Sequence, residues 1–389
     1  MKKTDDRVPK CAAHFKFSEC NAIIEENILL KKFEVTKMSM PAWSILPDDW
    51  KGLLKERGLR PFRADQILQS LYRDYITDWD QATTLPKDFR ETLKLEFPII
   101  PAEEVACDTS PDGTKKLLLK MHDGELVETV IIPVFGKDRN GNKETVRLTQ
   151  CISTQIGCAM GCAFCASGSQ GIVRSLRADE IVSEVMAARK YGTLTNLVVM
   201  GMGEPFANYD ETMRALKLIN AGRGPNLGAR HITLSTCGVV PGFARLAEEG
   251  LQFELSVSLH APNDILRNEL MPVNRKWPIS ELLQACKEYT LKTKRIITFE
   301  YTVIQGINDS RACAEELAQC VKKVPMAKVN LIPLSPVDHR PDFKTPPEST
   351  MVMFLDVLMK NRIQTMIRRS RGKESQAACG QLRLRSMPK

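Results

Sequence analysis

The feature that most constrains the fold of this chain is a strand–helix alternation running from about residue 145 to 361. Apolar, β-prone runs fall at 196–201, 230–235, 253–259, 296–304 and 328–333. Between and after them, apolar residues recur at helical spacing over 177–190, 208–220, 241–249, 278–291, 310–323 and 347–361. With 144–156 as the first strand, six strand–helix units follow one another. A helix-length crossover returns the chain to the same end of a sheet, so such strands run parallel. The expected fold is α/β, a partial (β/α)6 barrel whose active site lies at the C-terminal ends of its strands. A last strand is expected at 364–369.

The chemistry-bearing residues fall at those ends. After the first strand comes Cys158-Ala-Met-Gly-Cys162-Ala-Phe-Cys165, three cysteines spaced C-x3-C-x2-C. A structural zinc site uses four ligands, and an iron–sulfur cluster takes one cysteine on each iron. Three cysteines therefore fit a cluster with one open iron, a three-ligand zinc site, or plain buried thiols. After the second strand comes Gly201-Met-Gly203-Glu204-Pro205. Its glycines let backbone approach a ligand and its carboxylate suits an amino group, or the segment is a tight turn into the next helix. Ser235 ends the third strand, Ser258-Leu259-His260 the fourth, and Pro333-Leu-Ser335-Pro336 follows the sixth. Taken singly, His260 reads as a core histidine, and Cys151 and Cys379 as buried thiols. Cys107, Cys237, Cys286, Cys313 and Cys320 show no metal spacing and receive no role.

Upstream, residues 1–40 read as an extension outside any core, either a disordered arm or a start placed too early. Residues 41–102 read as a helical accessory unit, with helices opened at Pro47, Pro61 and about Pro86. Its Lys51, Lys55, Arg57, Arg60, Arg63 and Arg73 suit either nucleic-acid binding or a plain helical cap. Residues 103–150 alternate as strands joined by Asp112-Gly113, Asp123-Gly124 and Asn140-Gly141, which are hairpin turn signals. Glu128 lies in the middle strand, where the pattern alone sets it on a wet face. The core unit spans 151–361 and a basic segment 362–389.

Twelve cysteines in 389 residues, with no apolar leader at Met1–Phe17 and no run long enough to span a membrane, point to a reducing, cytoplasmic setting. Of the net charge of +8, most is concentrated after residue 361, where eight Lys and Arg face Glu374 alone. Such a segment suits a polyanion, or serves as a solvated tail.

The cysteine triad, followed by Gly-x-Gly-Glu after the next strand, resembles the radical S-adenosylmethionine (SAM) superfamily. Cys151-Ile-Ser-Thr-Gln-Ile-Gly-Cys158, Val199 to Pro205, Leu234-Ser-Thr, Val257 to Asp264, Phe299-Glu-Tyr301, Asn308-Asp309 and Ala377 to Leu382 are similar to the RlmN family over about 41–385. That resemblance implies a radical SAM barrel and methylation of adenine C2 in 23S rRNA and tRNA. It implies one [4Fe–4S] cluster on Cys158, Cys162 and Cys165, and two SAM molecules per turnover. One SAM methylates Cys379. The other yields the radical that takes hydrogen from that S-methyl group, and the resulting methylene adds to C2. Cys151 then releases the product by forming a disulfide with Cys379, and Glu128 is the proton acceptor. SAM contacts carry over to Gly203, Glu204, Ser235, Ser258, Leu259, His260 and Ser335, the last standing where the family usually has Asn. An electron donor such as flavodoxin or ferredoxin and a monomeric state are also implied. Three rivals remain at this level: an adenine-C8 methyltransferase of the sister family, a non-catalytic RNA-binding iron–sulfur assembly factor, and another radical enzyme acting on a protein or small molecule, which leaves the basic tail unexplained.

Overall fold

The structure, a computed structural model, describes residues 39–137, 140–372, 377 and 381. Three helices open the described chain: α1 (Pro47–Glu56), α2 (Phe62–Tyr72) and α3 (Lys87–Glu96). Pro47 stands in the first turn of α1, where no backbone donor is needed, with Asp48 and Asp49 facing the positive end of the helix dipole. The three pack around Trp43, Trp50 and Trp79, and Trp79 Nε1 donates to Phe97 O at 2.7 Å. Two of the cations in this region have structural work. Arg57 pairs with Glu96, and Arg73 donates to Gly222 O and Gly224 O on the barrel.

Four strands follow: β1 (Glu103–Thr109), β2 (Lys115–Lys120), β3 (Leu126–Lys137) and β4 (Lys143–Ile152), paired antiparallel in that order. Gly113, Gly124 and Gly141 all take positive φ in the intervening turns, as the turn signals predict. β4 then pairs parallel with β7 (Asn196–Val199). Beyond it the sheet continues in parallel through β8 (Ile232–Thr236), β9 (Glu254–Ser258), β10 (Ile297–Val303), β11 (Ala327–Pro333) and β12 (Thr365–Ile367). The hairpins thus share one ten-stranded sheet with the barrel. The parallel run has seven strands, one more than the six-unit reading, because the short β12 joins it.

A short pair, β5 (Gln155–Gly157) and β6 (Ile172–Ser175), brackets the cysteine loop, with α4 (Ala166–Ser169) inside it. The remaining helices are α5 (Ala178–Ala188), α6 (Tyr209–Asn220), α7 (Pro241–Glu248), α8 (Asp264–Leu270), α9 (Ile279–Thr293), α10 (Arg311–Lys322) and α11 (Glu348–Lys360).

β1 and β12 are the two ends of the sheet and are not paired with each other. Residues 368–372 bridge towards the other end. Arg368 N donates to Leu331 O and its guanidinium to Glu300 Oε1 at 3.1 Å. Arg371 then donates to Pro133 O on β3, and Gly372 N to Asp112 Oδ2 in the β1–β2 turn. The open barrel is strapped by its own chain.

Candidate active site

An open-mouthed cavity lies at the C-terminal ends of the parallel strands, the end at which such folds bind their ligands. Cys158, Cys162 and Cys165 line one wall. The loop carrying them is tied on several sides. Cys158 N donates to Gly171 O, Ala163 N to Leu270 O and Cys165 N to Cys162 O. Gly161 takes φ +63, and a Cβ on Gly168 would sit 3.0 Å from Cys162 N. Burial pushes the Cys158 thiol up to about 11 and Cys162 well above its usual range, with the neighbouring cysteines adding to both. A metal centre reverses this by ionising its thiols outright.

Among the described residues, no three His, Cys, Asp or Glu donors are grouped as a single ion requires. Three thiols spread along one cavity wall suit a cluster, in which each cysteine meets a different iron. The rest of the lining also fits a polar ligand. Ser335 Oγ is buried there without a hydrogen-bond partner, and a buried hydroxyl left in that state points to a group that satisfies it.

Of the other residues singled out from sequence, Gly203, Glu204, Ser235, Ser258 and His260 line the same cavity. Leu259 does not. Its side chain lies in the core, its N–H donates to Glu300 O, and its carbonyl accepts from Arg267 Nε. Cys379 lies outside the described residues.

Glu204 is buried, which pushes its carboxyl up. It accepts from Phe206 N, Thr236 Oγ1 and Cys237 N at 2.7–2.9 Å, contacts that pull the other way. The carboxyl thereby joins the loop after β7 to the loop after β8. The glycines beside it answer to packing more than to ligand approach. A Cβ on Gly201 would fall 2.6 Å from Ile152 O, and one on Gly203, at φ +100, would fall 2.6 Å from Gln155 Cβ. Gly203→Ala is expected to cost about 2 kcal/mol or more through left-handed strain and overpacking. Denaturant unfolding checks this, and wild-type stability in the variant would refute it.

His260 has the left-handed φ of +54, rare for a residue with a Cβ. Its neighbours fix it there. His260 N donates to Glu300 O, and Asn308 Nδ2 donates to His260 O at 2.8 Å. The ring is equally constrained. Thr302 N donates to Nδ1 at 2.9 Å, which leaves the proton on Nε2. Burial, followed by the Arg267 charge, lowers its pKa to about 3. The site therefore holds a neutral imidazole.

Sequence reasoning missed three residues. Arg267 is fully buried on α8 and donates to the carbonyls of Cys237, Ser258 and Leu259, gathering the ends of β8 and β9. Cys237 lines the cavity, its thiol pushed up by burial and by Glu204. Glu300 lines it too, its carboxyl raised by burial against the pull of Arg368. None of these carries a spacing signal, although Glu300 stands within the Phe299-Glu-Tyr301 segment.

Beside the cavity, β3 and β4 hold the other two positions. Val130 lies opposite Cys151 in register, and opposite residues share a face while side chains alternate along a strand. Glu128, Val130 and Cys151 therefore face one side of the sheet. Thr129 and Gln150 face the other. On that side Gln150 Nε2 donates to Thr129 Oγ1 and to Glu184 O of α5. Glu128 is 1% exposed, so the strand pattern that sets it on a wet face is overturned. Ser153 links the parts: its Oγ donates to Glu128 O and accepts from Met202 N, while its N–H donates to Glu184.

The family model described as the radical SAM superfamily matches residues 152–317, and that described as the ribosomal RNA large subunit methyltransferase N-terminal domain matches 48–99. The probable dual-specificity RNA methyltransferase RlmN of Geobacillus kaustophilus (strain HTA426) is 42% identical over 90% of this chain and 94% of its own. This chain belongs to the RlmN family. Another RlmN, the dual-specificity RNA methyltransferase of Lawsonia intracellularis (strain PHE/MN1-00), is 43% identical over 83% of this chain and 90% of its own. The crystal structure of a radical SAM methyltransferase from Sphaerobacter thermophilus superposes with a TM-score of 0.81 at 43% identity, covering 88% of this chain and 99% of that one. As an RlmN-family protein the chain is a radical SAM methyltransferase, and a [4Fe–4S] cluster and SAM are its cofactors.

Proposed function

We propose that this enzyme methylates C2 of an adenine in 23S rRNA, in the peptidyl transferase region, and in tRNA near the anticodon. The observation that carries the reading is the extent of the likeness to relatives described as dual-specificity RNA methyltransferases RlmN, which runs through both the helical unit and the barrel. The cavity supports it. Cys158, Cys162 and Cys165 are the residues to hold the cluster, and Gly203, Glu204, Ser235, Ser258, His260 and Ser335 those to hold SAM. The cluster and SAM, when bound, supply the methyl group and the single-electron chemistry that an electron-poor ring carbon requires.

The chain's own residues do the rest. Cys379 carries the methyl carbon to the base. Cys151 resolves the enzyme–RNA thioether: its thiolate attacks the Cys379 sulfur, an S–S bond forms as the S–C bond breaks, and the electron pair leaves with the carbon, which takes a proton. Glu128 accepts the proton that C2 gives up. The barrel-facing side shared by Glu128 and Cys151 supports these roles. C2 is reached only on a base taken out of its stack, and the basic segment after residue 361 suits the phosphates around it. Among the described residues no helix is long and apolar enough to cross a membrane. A cytoplasmic monomer served by a flavodoxin or ferredoxin completes the proposal.

Modified-base mass spectrometry of rRNA and tRNA from a strain lacking this gene tests it. Loss of 2-methyladenine from both is expected. Loss of a C8 methyl group instead would transfer the protein to the sister activity, and an unchanged base profile would refute methylation.

A further inference from the structure

A buried ion pair stands beside the cavity with no role yet assigned to its cation. Lys116 Nζ lies 3.3 Å from Glu128 Oε1, the two side chains 14% and 1% exposed. Register places it there. Lys116 of β2 is opposite Val130, and Leu118 is opposite Glu128, so Lys116 is the diagonal neighbour of Glu128 on the face that carries Cys151.

A carboxyl so nearly removed from water takes up a proton unless a cation balances it. A protonated carboxyl cannot accept another proton, so a base in this position needs its cation. Lys116 brings such a cation to that carboxyl. On β4 and just beyond it the neighbours are Cys151 and Ser153. Behind the sheet, α5 presents Glu184, whose carboxyl burial pushes far up. Arg371 reaches the same strand only at Pro133 O.

We propose that Lys116 is a positioning residue that keeps Glu128 ionised and aimed along the barrel-facing side of the sheet. The inference rests on reading Glu128 as the proton acceptor. In that step the C2–H bond breaks, an O–H bond forms on Glu128, and the electron pair stays with the base. Lys116 exchanges no proton with the substrate and acts through the carboxyl alone.

The test uses the reconstituted full-length enzyme with an RNA substrate, following single-turnover methyl transfer across pH, together with the infrared carboxyl band assigned by difference against Glu128→Gln. Lys116→Met is expected to move the acidic limb of the rate profile upward. Activity at neutral pH falls about tenfold for each pH unit by which the limb passes neutrality and returns at higher pH. The Glu128 band changes at neutral pH from carboxylate to protonated carboxyl. Lys116→Arg, which keeps the charge, restores both. An acidic limb that coincides with wild type, or a carboxylate band that persists in Lys116→Met, overturns the proposal. If Glu128→Gln itself transfers methyl at the wild-type rate, it is the reading of Glu128 that fails. Should Lys116→Met not fold, Lys116→Gln, which can hydrogen-bond the carboxyl without a charge, is held to the same two outcomes.

Discussion

Cys162→Ala protein, reconstituted anaerobically with iron and sulfide, is expected to lack the visible absorption of the cluster and to methylate no RNA. Cys162 is the middle cysteine of the triad, held by a loop whose backbone is bonded on both sides. On the proposed ligand set of three cysteines with one open iron there is no ligand to spare, so losing one removes binding outright. The control is Cys237, a fourth thiol lining the same cavity. Its backbone N–H is committed to Glu204, and its position after β8 lies outside the spaced triad. Cys237→Ser is expected to retain iron and sulfide at wild-type stoichiometry. Iron and sulfide analysis with absorption spectra distinguishes the two. A Cys162→Ala protein that keeps a full cluster would sink the ligand assignment.

Cys151→Ala is expected to convert a turnover enzyme into one that stops covalently joined to its RNA through Cys379. Without the resolving thiol the carbon–sulfur bond to the base has no partner to break it, so the adduct accumulates while product falls to background. Denaturing gels with labelled RNA, followed by mass spectrometry of the peptide containing Cys379, read this directly. A doubly substituted Cys151→Ala, Cys379→Ala protein should form no adduct. If Cys151→Ala releases methylated RNA at the wild-type rate, another group resolves the intermediate and the role assigned to Cys151 is wrong. Cys151 is 8% exposed on β4, so substitution by alanine removes a small buried group and leaves the strand intact.

The barrel was legible because its signals are local. Helices expected at 208–220, 310–323 and 347–361 run Tyr209–Asn220, Arg311–Lys322 and Glu348–Lys360, and the strand expected at 328–333 runs Ala327–Pro333. Periodicity, Pro at helix starts and Gly in turns mark such elements without knowledge of their neighbours. The site was less legible, for a different physical reason. Glu128 reads as wet only if β3 has one solvated face. In fact Thr129 packs towards α5 while Glu128 faces the barrel side, so both faces are covered and alternation loses its meaning. The Lys116–Glu128 pair joins different strands, and register is not printed in composition. Cys237 takes its place in the cavity lining, and Arg267 its bond to Cys237 O behind it, only when α8 and the β8 loop are brought together by tertiary packing.

The strap after β12 also bears on how the enzyme is made. Arg371 meets Pro133 across 238 positions of sequence, and Gly372 meets Asp112 across 260. These contacts cannot form on a growing chain until residue 372 has left the ribosome, and loops so long close late. The cysteine triad, the SAM-side turns and the hairpins are all synthesised well before that point. Translation order therefore keeps the cavity unstrapped until then, and a product truncated before residue 368 would keep the cysteine triad while lacking the segment that bridges the two ends of the sheet.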